Sequence, residues 1–148
     1  MYNPQSFNSG AGAYARVGLE IGAMSASPHQ LIVMLFDGAK AAMSMARHHM
    51  ASGDTVAKGN AISKAINIVD NGLKASLDAT TTGKDGEELV TNLSALYDYI
   101  NQRLMYANLR NDPAMLEEAS KLLESVSSAW REIGSAGAAV PESLSVRQ

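Results

Sequence analysis

The sequence predicts an all-α fold: an antiparallel up-down four-helix bundle with a short N-terminal capping helix. Three observations carry this. In four stretches of about 20 residues, apolar side chains recur at three- and four-residue spacing, the period of one helix face. Short turns rich in Gly, Asp, Asn and Pro separate those stretches, and short connections place successive helices side by side and antiparallel. No stretch carries the strict alternation of a half-buried strand.

The elements follow in chain order. Residues 1–13 are rich in Asn, Ser, Gly and Pro and read as a flexible arm. Tyr14, Val17, Ile21 and Met24 recur at three-four-three spacing. They predict a short amphipathic helix, weakened by Gly18 and Gly22, that folds only by docking on something larger.

The first long helix runs from Ser27 to about Ala51. Ser27 is placed to cap it, Pro28 suits the first helical position, and Gln30 completes a capping box. Ile32, Phe36, Ala39, Met43, Ala46 and Met50 form one stripe, with Leu31, Leu35, Gly38, Ala42 and Met45 beside it. At ~100° per residue the apolar arc spans about 200°, wider than the ~100° an ordinary surface helix needs. The flanking row is either a second core face or one wall of a binding groove, and periodicity does not choose between them.

Gly53 suits a helix C-cap and Asp54 the next N-cap. The second helix is predicted from about Thr55 to Leu77, with Ile62, Ile66, Val69, Leu73 and Leu77 as its core stripe. Its shallower row, Ala61, Ala65, Ile68 and Gly72, is a bed into which another helix can settle closely. Thr80 to Gly86 reads as a loop, with Asp85 and Glu88 as a capping box for the third helix. That helix runs from about Gly86 to Leu109. Leu89, Leu93, Leu96, Ile100, Leu104 and Ala107 form its core stripe, and Val90 and Tyr97 one shoulder. Asn92, Tyr99, Arg103 and Tyr106 form the other shoulder, with apolar bodies and polar tips. Asn111-Asp112-Pro113 is a turn and cap. The fourth helix follows to about Ile133 on Leu116, Ala119, Leu122, Leu123, Val126, Trp130 and Ile133. Residues 134–148 have no period and read as a disordered tail. The expected organisation is thus an arm (1–13), a bundle domain (14–133) and a tail (134–148).

Composition narrows the function classes. The formal net charge is -3 with no basic stripe, which speaks against nucleic-acid binding. With no cysteine, disulfides and thiolate metal sites are excluded and a reducing, intracellular setting is the easier fit. No apolar run is long enough to span a membrane, and the N-terminus lacks the basic and apolar regions of a secretory signal.

A search for catalytic chemistry finds none. His48 and His49 are adjacent and point ~100° apart on a helix, so they cannot chelate one ion together. The inward positions carry none of the Glu and Glu-x-x-His pairs of a bundle metal site. His48 on the polar arc has no phosphotransfer signature around it, and Gly83-Lys84-Asp85-Gly86 is a turn with a lysine, not a phosphate loop. Asp37-Gly38 inside a helix is best explained by a close helix contact at Gly38. The expectation is no enzyme, no metal and no cofactor. What remains is apolar surface in excess of one core, on three helices, and such grooves are natural receptors for amphipathic segments.

Three segments and one residue then carry a family resemblance: SASPHQLIVMLFDGA at Ser25–Ala39, KAINIVDNGLKASLD at Lys64–Asp78, NLSALYDYINQRLMYANLRND at Asn92–Asp112, and the late Trp130. Tyr14-Ala15-Arg16-Val17 adds to them. Together they resemble the flagellar secretion chaperones, the flagellin export chaperones (FliS), over about Tyr14 to Ile133 in one register. The loop TTTGKDGEE and the arm before Tyr14 are longer than the family's usual form.

The resemblance implies a mostly antiparallel four-helix bundle with a short N-terminal cap. It implies a cytoplasmic chaperone that binds the C-terminal region of flagellin, which is disordered in the monomer and helical in the filament. Binding would block premature polymerisation and assist delivery to the flagellar type III export apparatus. The expected partners are flagellin and a component of the export gate, with other flagellar regulators and a second copy of the chain as further candidates. The competing class is a structural helical bundle, a subunit of a larger assembly without chaperone activity. The candidate partner-binding residues are Tyr14, Val17 and Ile21, as a displaceable lid, and Leu35, Phe36, Ile68, Tyr97, Tyr99 and Tyr106, as groove lining. Plain core is the competing reading for Phe36 and Tyr97. Asn92, Arg103 and Asn108 either bond cargo backbone or merely cap and solvate.

Overall fold

The computed structural model describes residues 27–77 and 83–135, and every element in them is helical. The arm, the capping helix at Tyr14–Met24, most of the loop after Leu77 and the tail beyond Ser135 lie outside the described residues. α1 spans Pro28–Ser52 and α2 Thr55–Asn67. A π-helical segment, Ile68–Lys74, continues α2, and α3 (Gly83–Arg110) and α4 (Pro113–Ser135) complete the bundle.

The helix ends follow the local chemistry of the sequence. Ser27 accepts from the Gln30 amide while the Gln30 side chain accepts from the Ser27 amide, a complete capping box. Gly53 ends α1 with φ 78°, the left-handed conformation that costs glycine nothing. Asp54 starts α2 by accepting from Ala57 N at 3.1 Å. Asn111 leaves α3 with φ 52°, tolerable for Asn, and lets Asp112 N close a 3.0 Å bond onto Ala107 O.

α3 begins at Gly83, one turn before the predicted start, so Asp85 lies within the helix and not at its first residue. Leu89, the first residue of the predicted α3 core stripe, is exposed, and the buried stripe starts further along the helix. α2 also departs from expectation: its regular α geometry stops at Asn67, and seven residues follow with the wider π pitch. A π turn inserts a residue and disturbs the carbonyl ladder. Neighbouring side chains serve carbonyls there: Asn101 Nδ2 donates to Ile66 O at 3.5 Å and Ser76 Oγ to Gly72 O at 2.6 Å.

Contacts of α1 with the second helical run and with α4 advance along α1 while receding along the partner, so both neighbours lie antiparallel to it. Between α1 and the second helical run, Leu35 faces Gly72 while Gly38 faces Ile68. Across α1 and α4 the pairs are His29–Trp130, Asp37–Arg131, Lys40–Glu124 and Arg47–Glu117. The core is continuous along the bundle: Phe36, Met43, Ile62, Ile68, Leu73, Ile100, Leu104, Leu116 and Leu123 are all fully buried. The small-residue row at Ala65, Ile68 and Gly72 is buried against α1. An added Cβ at Gly72 would stand 3.1 Å from Leu35 Cδ2, and one at Gly38 3.5 Å from Ile68 Cδ1. The bed predicted from the small residues is therefore filled by the chain's own first helix.

Candidate docking groove

Two seams of the bundle differ in chemistry. The α1/α4 seam is closed by polar groups. Lys40 Nζ donates to Glu124 Oε1 at 2.8 Å and to the buried Ser127 hydroxyl at 3.3 Å, while Arg47–Glu117 and Arg131–Asp37 flank it. The Lys40 bond holds the Glu124 carboxyl below the usual carboxylate range. His29 and Trp130 lock one end. Their rings stack with centroids 4.8 Å apart, Trp130 Nε1 donates to His29 O at 3.1 Å, and His29 Nε2 lies 2.6 Å from Trp130 O. Exposed ion pairs add little stability, but they give this face nothing apolar to offer.

The α2/α3 seam is bridged by Lys58–Asn108 and Asn101–Ile66 and, from the π segment, by Lys74–Asp98, but between these contacts it stays open. A groove of about 550 Å³ runs along it, with Ile62, Ser63 and Ile66 on the α2 wall and Gln102, Met105, Tyr106, Asn108 and Leu109 on the α3 wall. Met105 is 61 % and Leu109 78 % exposed, so large apolar side chains stand in water beside half-buried Ile66. Their position follows from helix geometry. Ile100, Leu104 and Ala107 take the inward face of α3, which turns Gln102, Met105 and Leu109, spaced three and four apart, outward toward α2. Arg110 stacks over the Tyr106 ring at 5.0 Å to its centroid, which holds that ring at the groove lip. A concave apolar surface with a few polar atoms around it suits the apolar face of an amphipathic helix.

The predicted site residues divide. Tyr14, Val17 and Ile21 lie outside the described residues. Leu35, Phe36, Ile68 and Tyr97 are buried in the chain's own core. In this arrangement they present no surface to a partner, because α1 and the π segment pack directly on each other. Burial also pushes the Tyr97 phenol well up from its ordinary value. Tyr99 is exposed but faces α4: its hydroxyl donates to Glu118 Oε2 at 2.6 Å, and Arg103 Nε donates to Glu118 Oε1 at 2.8 Å while lying 5.7 Å from the Tyr99 ring centroid. The Glu118 bond raises the Tyr99 phenol against the opposing pull of Arg103, and Glu118 is held below the usual carboxylate range by the Tyr99 bond first and by Arg103 as well. Of the predicted site residues that are described, only Tyr106 lines the groove.

The shoulder row predicted on α3 is thus split. Tyr99 and Arg103 tie α3 to α4, and Tyr106 belongs to the other side. Sequence reasoning passed over Met105 and Ile66 as groove walls and took Leu109 as a helix end. The signal was present in the spacing of Gln102, Met105 and Leu109, but a stripe of only two apolar residues next to a strong core stripe does not stand out. Among the described residues no group of three or more His, Asp or Glu side chains is gathered as a metal site, and no helix is long and apolar enough to cross a membrane.

Residues 10–137 match the family described as flagellar protein FliS. The chain is 57 % identical to the flagellar secretion chaperone FliS of Salmonella typhimurium, over 84 % of this chain and 90 % of that protein. It is 46 % identical to the flagellar secretion chaperone FliS of Escherichia coli K12, over 83 % of this chain and 88 % of that protein. Identity to the Bacillus subtilis flagellar secretion chaperone FliS is 30 %, over 73 % of this chain and 76 % of that protein.

Proposed function

The chain belongs to the FliS family, and from that premise we propose that it is a flagellar export chaperone whose α2/α3 groove receives the C-terminal segment of flagellin. The segment folds into a helix as it docks, its apolar side chains covering Met105, Leu109, Ile66 and Tyr106. Coupled folding spends ~2–5 kcal/mol of contact energy on ordering the segment, so a large contact area remains releasable. That suits a chaperone that masks its cargo in the cytoplasm, prevents polymerisation there and gives the cargo up to a component of the type III export gate. The role is binding and release, with no catalytic step. The N-terminal segment with Tyr14, Val17 and Ile21 acts as a lid that competes for the groove when cargo is absent.

The observation that carries this reading is the contrast between the two seams: one sealed by ion pairs, the other displaying large apolar side chains in a concave surface. The test mixes the full chain with monomeric flagellin and with flagellin lacking its C-terminal segment, and resolves them by size-exclusion chromatography at micromolar concentration. A complex with the first and none with the second is expected. No complex with either, or an equal complex with both, would overturn the assignment.

A further inference from the structure

We propose that Lys58 binds the terminal carboxylate of the docked cargo helix and thereby fixes its direction along the groove. The inference rests on the docking reading above and adds to it a contact and a polarity.

Among the described residues Lys58 is the one buried charged side chain, at 5 % exposed. Its ammonium donates to Asn108 O at 3.0 Å and to Asn111 Oδ1 at 3.1 Å. Both acceptors are neutral, and among the described residues no carboxylate lies within ion-pair distance of it. An ammonium has three donors, so one is left over. A buried cation without a counter-charge is costly.

Helix fields do not remove the imbalance. The Asn108 carbonyl belongs to the last turn of α3, where a cation is favoured, but Lys58 itself sits in the first turn of α2, where a cation is disfavoured. Capping the end of α3 explains two of the three donors and leaves net positive charge.

The location of that charge supplies the rest. Beside the ammonium is a cavity of about 310 Å³ lined by Lys58, His49, Met50, Thr55 and Asn111 among others, and Asn108 and Leu109 line both it and the groove. The apolar groove therefore runs past Leu109 and ends at a cation. A helix lying in the groove with its C-terminal end at Leu109 brings to Lys58 the negative end of its dipole and a carboxylate. A helix laid the other way brings a positive end to a positive site.

The experiment uses the full chain and three synthetic peptides of the flagellin C-terminal segment, read by titration calorimetry. One has the free carboxylate, one is its C-terminal amide, and one is extended by a short Gly-Ser tail that carries the carboxylate away. The free acid should bind roughly 10- to 100-fold tighter than the amide or the extended peptide, the range of one charge-assisted hydrogen bond. In Lys58→Met, which keeps the apolar stem, acid and amide should bind alike. The acid-amide comparison on the unaltered chain needs no variant to fold. Equal binding of acid and amide there, or a preference that survives in Lys58→Met, overturns the carboxylate contact and leaves the groove reading standing. If none of the three peptides binds, the groove reading fails and this inference with it.

Discussion

Substitution of Met105 and Leu109 by alanine separates binding from folding at the groove. These side chains are 61 % and 78 % exposed, so the native fold gains little from them and a docked helix gains nearly everything. Scaling the ~1.5–3 kcal/mol of fully burying a large apolar side chain by those exposures gives about 1–2 kcal/mol each and ~2–4 kcal/mol together. That corresponds to a loss of roughly 30- to 1,000-fold in affinity. Titration calorimetry of the double variant against the flagellin C-terminal segment measures it. Urea denaturation of the same variant should stay within ~0.5 kcal/mol of the parent, as for surface changes generally. Ile133→Ala, which trims an exposed apolar residue near the end of α4, should leave affinity unchanged. Binding by the double variant within threefold of the parent, or an equal loss in Ile133→Ala, would refute the assignment of the groove.

Phe36→Ala removes a fully buried ring and should cost about 3–5 kcal/mol in denaturant unfolding, which would mark Phe36 as core; an effect confined to cargo affinity would contradict that placement. Gly72→Val crowds Leu35, already 3.1 Å from where a Cβ would stand. It should destabilise by ~1–3 kcal/mol, and a double-mutant cycle with Leu35→Ala should show a non-additive, partly compensating effect; strict additivity would mean the two do not touch. Glu118 and Glu124 are held below the usual carboxylate range, by the Tyr99 bond first and by Lys40 first, respectively. A carboxylate lowered in the native state stabilises it above the unfolded carboxylate range, and that contribution is lost as pH falls through the lower native value. The stability gap between the parent and Glu118→Gln or Glu124→Gln should therefore close as pH drops from neutral into the acid range, followed by thermal unfolding; a gap independent of pH would contradict the pairing.

Fold and helix boundaries were largely local matters. Ser27, Gln30, Gly53, Asp54 and Asn111 each act on backbone groups a few residues away, so the sequence alone specified four helices and the ends these residues make, though not where α3 begins. The inward stripes of Phe36, Ile62, Leu104 and Leu123 were legible for the same reason: a helical period depends only on residues three and four apart. The small-residue row at Gly72 announced a close approach, and only the packing of α1 showed that Leu35 makes it.

Which apolar row stays uncovered was decided by the tertiary structure. Leu35 and Ile68 look as available in sequence as Met105 and Leu109, yet Leu35 packs on Gly72 and Ile68 on Gly38, while Met105 and Leu109 meet solvent. Tyr99 and Tyr106 share one helical shoulder, but Glu118 of α4 draws Tyr99 to one side while Tyr106 stands at the other seam. The buried Lys58 has the same origin. Its place between Asn108 and Asn111 depends on residues about fifty positions away, and periodicity within one helix contains no term for a neighbour. Composition and spacing set how much apolar surface the chain has; the pairing of helices set which part of it remains to bind.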